Sequence, residues 1–180
     1  MLRITVPASE KWDEANCQFI NFDGAVLELE HSLLSVSKWE SKWHKPFLSE
    51  KTMTEAESTD YIRCMTLNDN VPEEAYENLT SENIKDVEAY ISDSMTATWF
   101  VDDKTSKPNR EIITSERIYY SMFSLGVPKE CENWHFNRLM TLLRVFSEEN
   151  KPKKKMSAKQ ILSRNRALNE QRKAMHHTRG

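Results

Sequence analysis

Leu2, Ile4 and Val6 alternate with Arg3 and Thr5, the period of two expected of a strand with one buried face. Residues 17–22 and 25–30 flank Asp23-Gly24 and have the form of two strands joined by a tight turn, so the chain predicts a small antiparallel sheet over its first thirty residues. Beyond residue 31 the apolar period lengthens. Residues 33–43 read as a helix that places Trp39 and Trp43 four apart on one side and ends before Pro46. Thr54 followed by Glu57 is a capping box that opens a helix through Tyr61, Ile62 and Met65. Pro72 suits the first turn of a short helix over 73–79, and Thr80 can cap the next, where Ile84, Val87 and Ile91 share a face.

A polar stretch over 102–109 reads as a loop. After it, Ile118, Tyr119, Met122 and Phe123 form a stripe that stops at Gly126, with Pro128 beyond. The strongest apolar pattern is 130–149, where Phe136, Leu139, Met140, Leu143 and Phe146 recur at offsets of three and four, the expected central core helix. The run Asn150-Lys151-Pro152-Lys153-Lys154-Lys155 then breaks the pattern. Ser157 with Gln160 opens a last helix toward His176, roughly 28 Å long at about 1.5 Å per residue. The expected fold class is α+β, mainly α: a small N-terminal antiparallel β-sheet, a helical body and a basic C-terminal helix.

Composition supports the helical weighting, because three glycines in 180 residues disfavour turn-dense sheets and glycine-rich phosphate loops. Charge divides the chain more sharply. Residues 151–180 hold ten lysines and arginines against the single acid Glu170, a net of +9, which leaves −12 of the overall −3 for the rest. The expected organisation is therefore an acidic globular domain over 1–150, β-rich over 1–31 and helical over 32–150, followed by a basic hinge and arm over 151–180. Such a dipole favours an acidic partner: nucleic acid, an acidic protein surface or the body of another copy. Cys17, Cys64 and Cys131 are odd in number and without CxxC spacing, which reads as reduced core cysteines in a cytosolic compartment. The start lacks the apolar stretch of a signal peptide, and no run approaches the roughly 18 apolar residues of a spanning helix, so a soluble intracellular protein is expected.

Two features are candidates for binding. In the last helix Ile161, Leu168 and Met175 fall seven apart, with Ala158, Asn165 and Arg172 between them in heptad positions, a thin apolar seam between basic flanks. That helix can fold back on its domain or fray. It can instead dock along another helix while Lys153, Lys154, Lys155, Arg164, Arg166 and Arg172 meet acidic side chains, or track phosphates as a small nucleic-acid-binding regulator. The near-repeat Ser37-Lys38-Trp39-Glu40 and Ser41-Lys42-Trp43-His44 places two indoles together, suited to core packing or to anchoring a base or a protein partner.

The five histidines lack zinc-ligand spacing, and the acidic pairs Glu73-Glu74, Asp102-Asp103 and Glu148-Glu149 read as solvated. Cys131 and His135 sit about one turn apart without an orienting third group or an oxyanion hole. No catalytic residue, metal site or cofactor is expected.

Six strings carry a family likeness: LELEHSLLSVSKWESKWHKPFL over 27–48, DYIRCMTL over 60–67, MTATWF over 95–100, REIITSERIYY over 110–120, WHFNRLMTLLRV over 134–145 and KKMSAKQILSRNRALNEQRKAMHHTRG over 154–180. Together they resemble the tail assembly chaperones of long-tailed, siphovirus-type bacteriophages. The resemblance implies a non-enzymatic factor in the host cytoplasm, absent from the mature virion, that binds the tape measure protein and keeps it soluble while the tail forms. No residue role is defined sharply enough in that family to carry over. The arm would either grip the tape measure protein or link one copy's basic tail to the next copy's acidic body. The second is favoured because both charges lie in one chain, making a homo-oligomer the expected state and nucleic acid the less favoured partner.

Overall fold

The computed structural model describes residues 1–14, 17–49, 52–100, 112–150 and 158–176. Its first element is one long antiparallel ribbon, built from β1 (Leu2–Val6), β2 (Ser9–Asp13), β3 (Gln18–Phe22) and β4 (Ala25–Leu29). β1 pairs with β4 and β2 with β3, and the register is continuous: Leu2 faces Leu29, Ser9 faces Phe22 and Asp13 faces Gln18. The chain therefore reverses between Asp13 and Gln18, and the hairpin expected at Asp23-Gly24 does not form. That dipeptide lies instead opposite Pro7-Ala8, where the ladder is interrupted. Pro7 has no N–H to donate, and Gly24 takes φ +85° with the Val6 carbonyl oxygen only 2.9 Å from where a Cβ would stand. A proline opposite a left-handed glycine breaks the ribbon into two halves without changing its register.

The halves differ in what they bury. Ile4 and Val6 of β1 and Leu27 and Leu29 of β4 face the core on alternate positions, whereas Phe22 is the buried side chain of the outer half. The free edge of β4 is covered by the segment after α2 (Glu55–Met65), through Glu30 N–H to Met65 O (2.9 Å) and Leu67 N–H to Glu28 O (2.8 Å).

Helix boundaries follow local capping chemistry. Ser32 caps α1 (Leu33–Trp43) by accepting the Ser35 N–H, and the helix stops at His44 in a left-handed conformation two residues before Pro46. A 3₁₀ turn over Phe47–Ser49 follows. Thr54 and Glu57 form both bonds of a capping box on α2, and Thr80 does the same with Asn83 on α4 (Ser81–Ser92), after the single turn of α3 (Glu74–Glu77). α5 (Ser115–Ser124) ends at Gly126, φ +70°.

The helix expected from residue 130 starts later. A 3₁₀ turn over Lys129–Asn133 comes first, and α6 spans Phe136–Glu149, because His135 bridges to Ser32 and the Phe136 N–H bonds to His31 O at 2.6 Å. Tertiary pairing of that segment wins over its helical pattern. α6 is also not the centre of the core. Leu33, Val36 and Trp39 of α1 have no accessible surface, and α1 packs on α2, α5 and both 3₁₀ turns, while Met140 and Phe146 of α6 are half-buried.

The last helix, α7, spans Ala158–His176. The observed class is α+β, mainly α. Met1–Ser147 forms one compact unit, which among the described residues contains the buried apolar side chains from Ile4 to Leu143, and Glu148–Gly180 forms a second. Glu148 and Glu149 fall in the second unit, so the charges of −12 and +9 become −10 and +7. Among the described residues no helix is long and apolar enough to cross a membrane.

Candidate functional site

The two indoles of α1 lie 6.3 Å apart with their planes 28° from parallel. Trp39 is 0% exposed and its Nε1–H donates to Glu57 O at 3.0 Å, so this ring is a core group and presents no face to a base or a partner. Trp43 is half-buried and donates Nε1–H to Asp60 Oδ2 at 2.9 Å. With Trp39 fully buried, the two indoles do not together form the stacking platform considered from sequence. Both serve the seam between α1 and α2.

Asp60 organises that seam. Its Oδ1 accepts from Lys42 Nζ and from Arg63 Nη1 (3.1 Å), and Arg63 continues to Glu73 (2.5 Å) while lying over the Tyr76 ring. Burial alone would raise the Asp60 carboxyl, but the hydrogen bonds from Lys42 and Trp43 outweigh it and hold the group below the usual carboxylate range. Glu57 is held down to about 2, first by its hydrogen bond from Lys45 (2.6 Å) and then by Thr54. A cleft of about 810 Å³ opens beside Asp60, Trp43 and Tyr76. Lys42, Asp60, Arg63 and Glu73 in its lining are paired with one another, which fits a structural seam.

α7 is the other place the sequence singles out. All of its described side chains are exposed, the apolar Ile161, Leu162, Leu168 and Met175 among them. At about 100° per residue, Ile161, Leu168 and Met175 share one side, with Asn165 and Arg172 in the same band and Arg164 beside it. The opposite side carries a feature the sequence reading missed. Lys159, Arg166 and Lys173 are also seven apart, a net cationic stripe roughly 160° from the seam with steps of about 10.5 Å, with Glu170 on the same side one turn after Arg166. Its spacing is legible in the sequence, where Arg166 is already a candidate and Lys159 and Lys173 are not. Lys153, Lys154 and Lys155 lie outside the described residues, as do Asp102 and Asp103.

A third cluster is buried. His31 Nδ1 and the Tyr61 hydroxyl are 2.5 Å apart, and the His31 and His135 rings are 5.2 Å apart, centroid to centroid. Tyr61 is pushed up by burial, keeps its proton and donates it to His31. His135 Nε2 donates to Tyr90 O (3.0 Å), and Tyr90 donates its hydroxyl to Glu30 (2.7 Å). His135 Nδ1 is buried without a hydrogen-bond partner. Burial, and then the neighbouring His135, lower His31 to about 3. The His31 ring packs tilted against Phe47 and Phe136, and the His135 ring stands edge-on to His31 and Tyr90.

Of the cysteines, Cys131 is buried, Cys64 half-buried and Cys17 exposed beside the ribbon's reversal, so Cys17 is not the core residue expected. Among the described residues no three His, Cys, Asp or Glu side chains are placed to hold a metal ion. No family model, curated protein or solved structure matches this chain.

Proposed function

We propose that this protein is a non-enzymatic assembly chaperone for the tape measure protein of a long-tailed phage, acting in the host cytoplasm and associating with copies of itself. The observation that carries the reading is α7: a 19-residue helix with an apolar seam on one side, a cationic stripe on the other and its described side chains exposed. A helix whose described side chains are exposed suits docking, and an apolar seam of this kind fits an amphipathic partner helix. A tape measure protein is expected to be long and helical, with apolar faces that aggregate unless covered. The string likeness over 27–48, 134–145 and 154–180 supports the same reading. The alternative, a nucleic-acid-binding regulator, would use the same cations on phosphates, yet gains no base-stacking platform from the buried Trp39.

Co-expression is the test. With this protein present, the soluble yield of the cognate tape measure protein should rise severalfold and the two should purify together. An unchanged yield with no complex overturns the proposal.

A further inference from the structure

We propose that the acidic, aromatic-walled cleft between the outer half of the ribbon and α3 is the seat for the cationic stripe of α7 from a second copy. This rests on the self-association in the reading above and names the docking site for it.

The cleft is about 400 Å³, lined by Trp12 and Phe22 and by four carboxylates, Glu14, Glu73, Glu74 and Glu77. A helix about 10–12 Å across does not fit in such a space, but one or two long side chains do. Its electrostatics select their sign. The lining cation, Lys11, lies 3.6 Å from Glu77, and Glu73 is engaged by Arg63, so the carboxylates outnumber the local positive charge. The indole of Trp12 is 48% exposed and braced edge-on by Phe19 at 4.9 Å, a pair that the register sets on the ribbon face opposite Ser9, Lys11 and Phe22, at the margin of the cleft. A rim of carboxylates suits the long cationic side chains of arginine and lysine.

The same chain carries the complement. Arg166 is the middle cation of the stripe, and Lys159 and Lys173 stand about 10.5 Å to either side, in reach of rim carboxylates when Arg166 enters. Net charges of −10 and +7 on the two units steer that approach. With cleft and stripe on different units, the contact is head-to-tail, and each added copy presents a new cleft or a new stripe, the condition for an open assembly. The seam of Ile161, Leu168 and Met175 lies on the other side of α7 and stays available to a tape measure helix. One helix thus serves two partners at once.

Charge reversal in the full-length chain tests this, read by sedimentation velocity at about 50 mM salt, with circular dichroism confirming that each variant is folded. Arg166→Glu and Glu74→Lys should each weaken self-association at least about tenfold, and the two together in one chain should restore it. Mixing the two single variants should also restore growth, with the two variants alternating, because the intact cleft meets the intact stripe and the reversed stripe meets the reversed cleft. Glu14→Lys should act like Glu74→Lys. Association lost in Arg166→Glu but unchanged in both cleft variants overturns the cleft while leaving arm-mediated association in place. Variants that all associate like the parent, while tape measure yield still rises, overturn this inference without touching the chaperone reading.

Discussion

Replacing Glu40 by alanine should destabilise the body by about 4 kcal/mol, within a range of roughly 2–6. Glu40 is buried in α1, where Oε1 accepts the Phe47 N–H at 2.8 Å and Oε2 accepts the Ser115 N–H at 2.7 Å. One side chain therefore fixes both the 3₁₀ turn after α1 and the first residue of α5, 75 positions away. Alanine leaves two buried or half-buried donors without acceptors, at about 1–3 kcal/mol each, offset in part by the desolvation of the carboxylate that it removes. Glu40→Gln should lose less, since one carbonyl oxygen survives while the amide N–H₂ meets the other donor. Urea unfolding at neutral pH measures both. A loss under about 0.5 kcal/mol for Glu40→Ala would mean that these bonds do not hold α1 to α5.

Acid should act on the body through His31. Its pKa is about 3 in the folded protein against an ordinary 6.5, so between those values the unfolded chain binds the extra proton. Stability is then complete above pH 6.5 and falls as pH drops, by about 3 kcal/mol on reaching pH 4.5. The groups facing the ring offer no counter-charge to an imidazolium: the protonated Tyr61 hydroxyl from α2 and His135 from the start of α6, with Tyr90 and Glu30 paired to each other beyond it. Asp60 and Glu57 titrate below their ordinary values, so what they contribute is lost only at lower pH. Thermal unfolding followed from pH 7.5 to 4.5 should show the decline, and His31→Gln should flatten it. An equal slope in that variant would place the proton elsewhere.

Much of the helical layout was legible because its signals are local. Ser32, Thr54 and Thr80 cap helices with partners three residues away, and Pro46, Pro72 and Gly126 mark boundaries through their own backbone restrictions. The ribbon was not, since Asp23-Gly24 has the chemistry of a hairpin turn. Only its position opposite Pro7-Ala8 makes it a break in a longer ladder. The late start of α6 and the meeting of His31 with His135 depend on contacts more than a hundred residues apart, for which no periodicity speaks. Trp39 and Trp43 were visible as a pair, but whether an indole faces core or solvent is decided by what packs on it, here Glu57, Asp60 and the 3₁₀ turn. On α7 the seven-residue spacing of both stripes could be read, whereas the acidic cleft could not, because Trp12 and Glu74 come together only when the ribbon folds over α3.

The central claim is that the basic second unit recruits neighbours by charge. Sedimentation velocity of the full chain beside a chain lacking residues 151–180 tests it most directly, because the core lies within Met1–Ser147. At about 50 mM salt the full chain should sediment as oligomers that dissociate at about 500 mM, and the shortened chain should be monomeric at both, since salt shortens the Debye length from over 10 Å to a few ångströms. Oligomers of the full chain that persist at high salt, or that survive loss of residues 151–180, would contradict it.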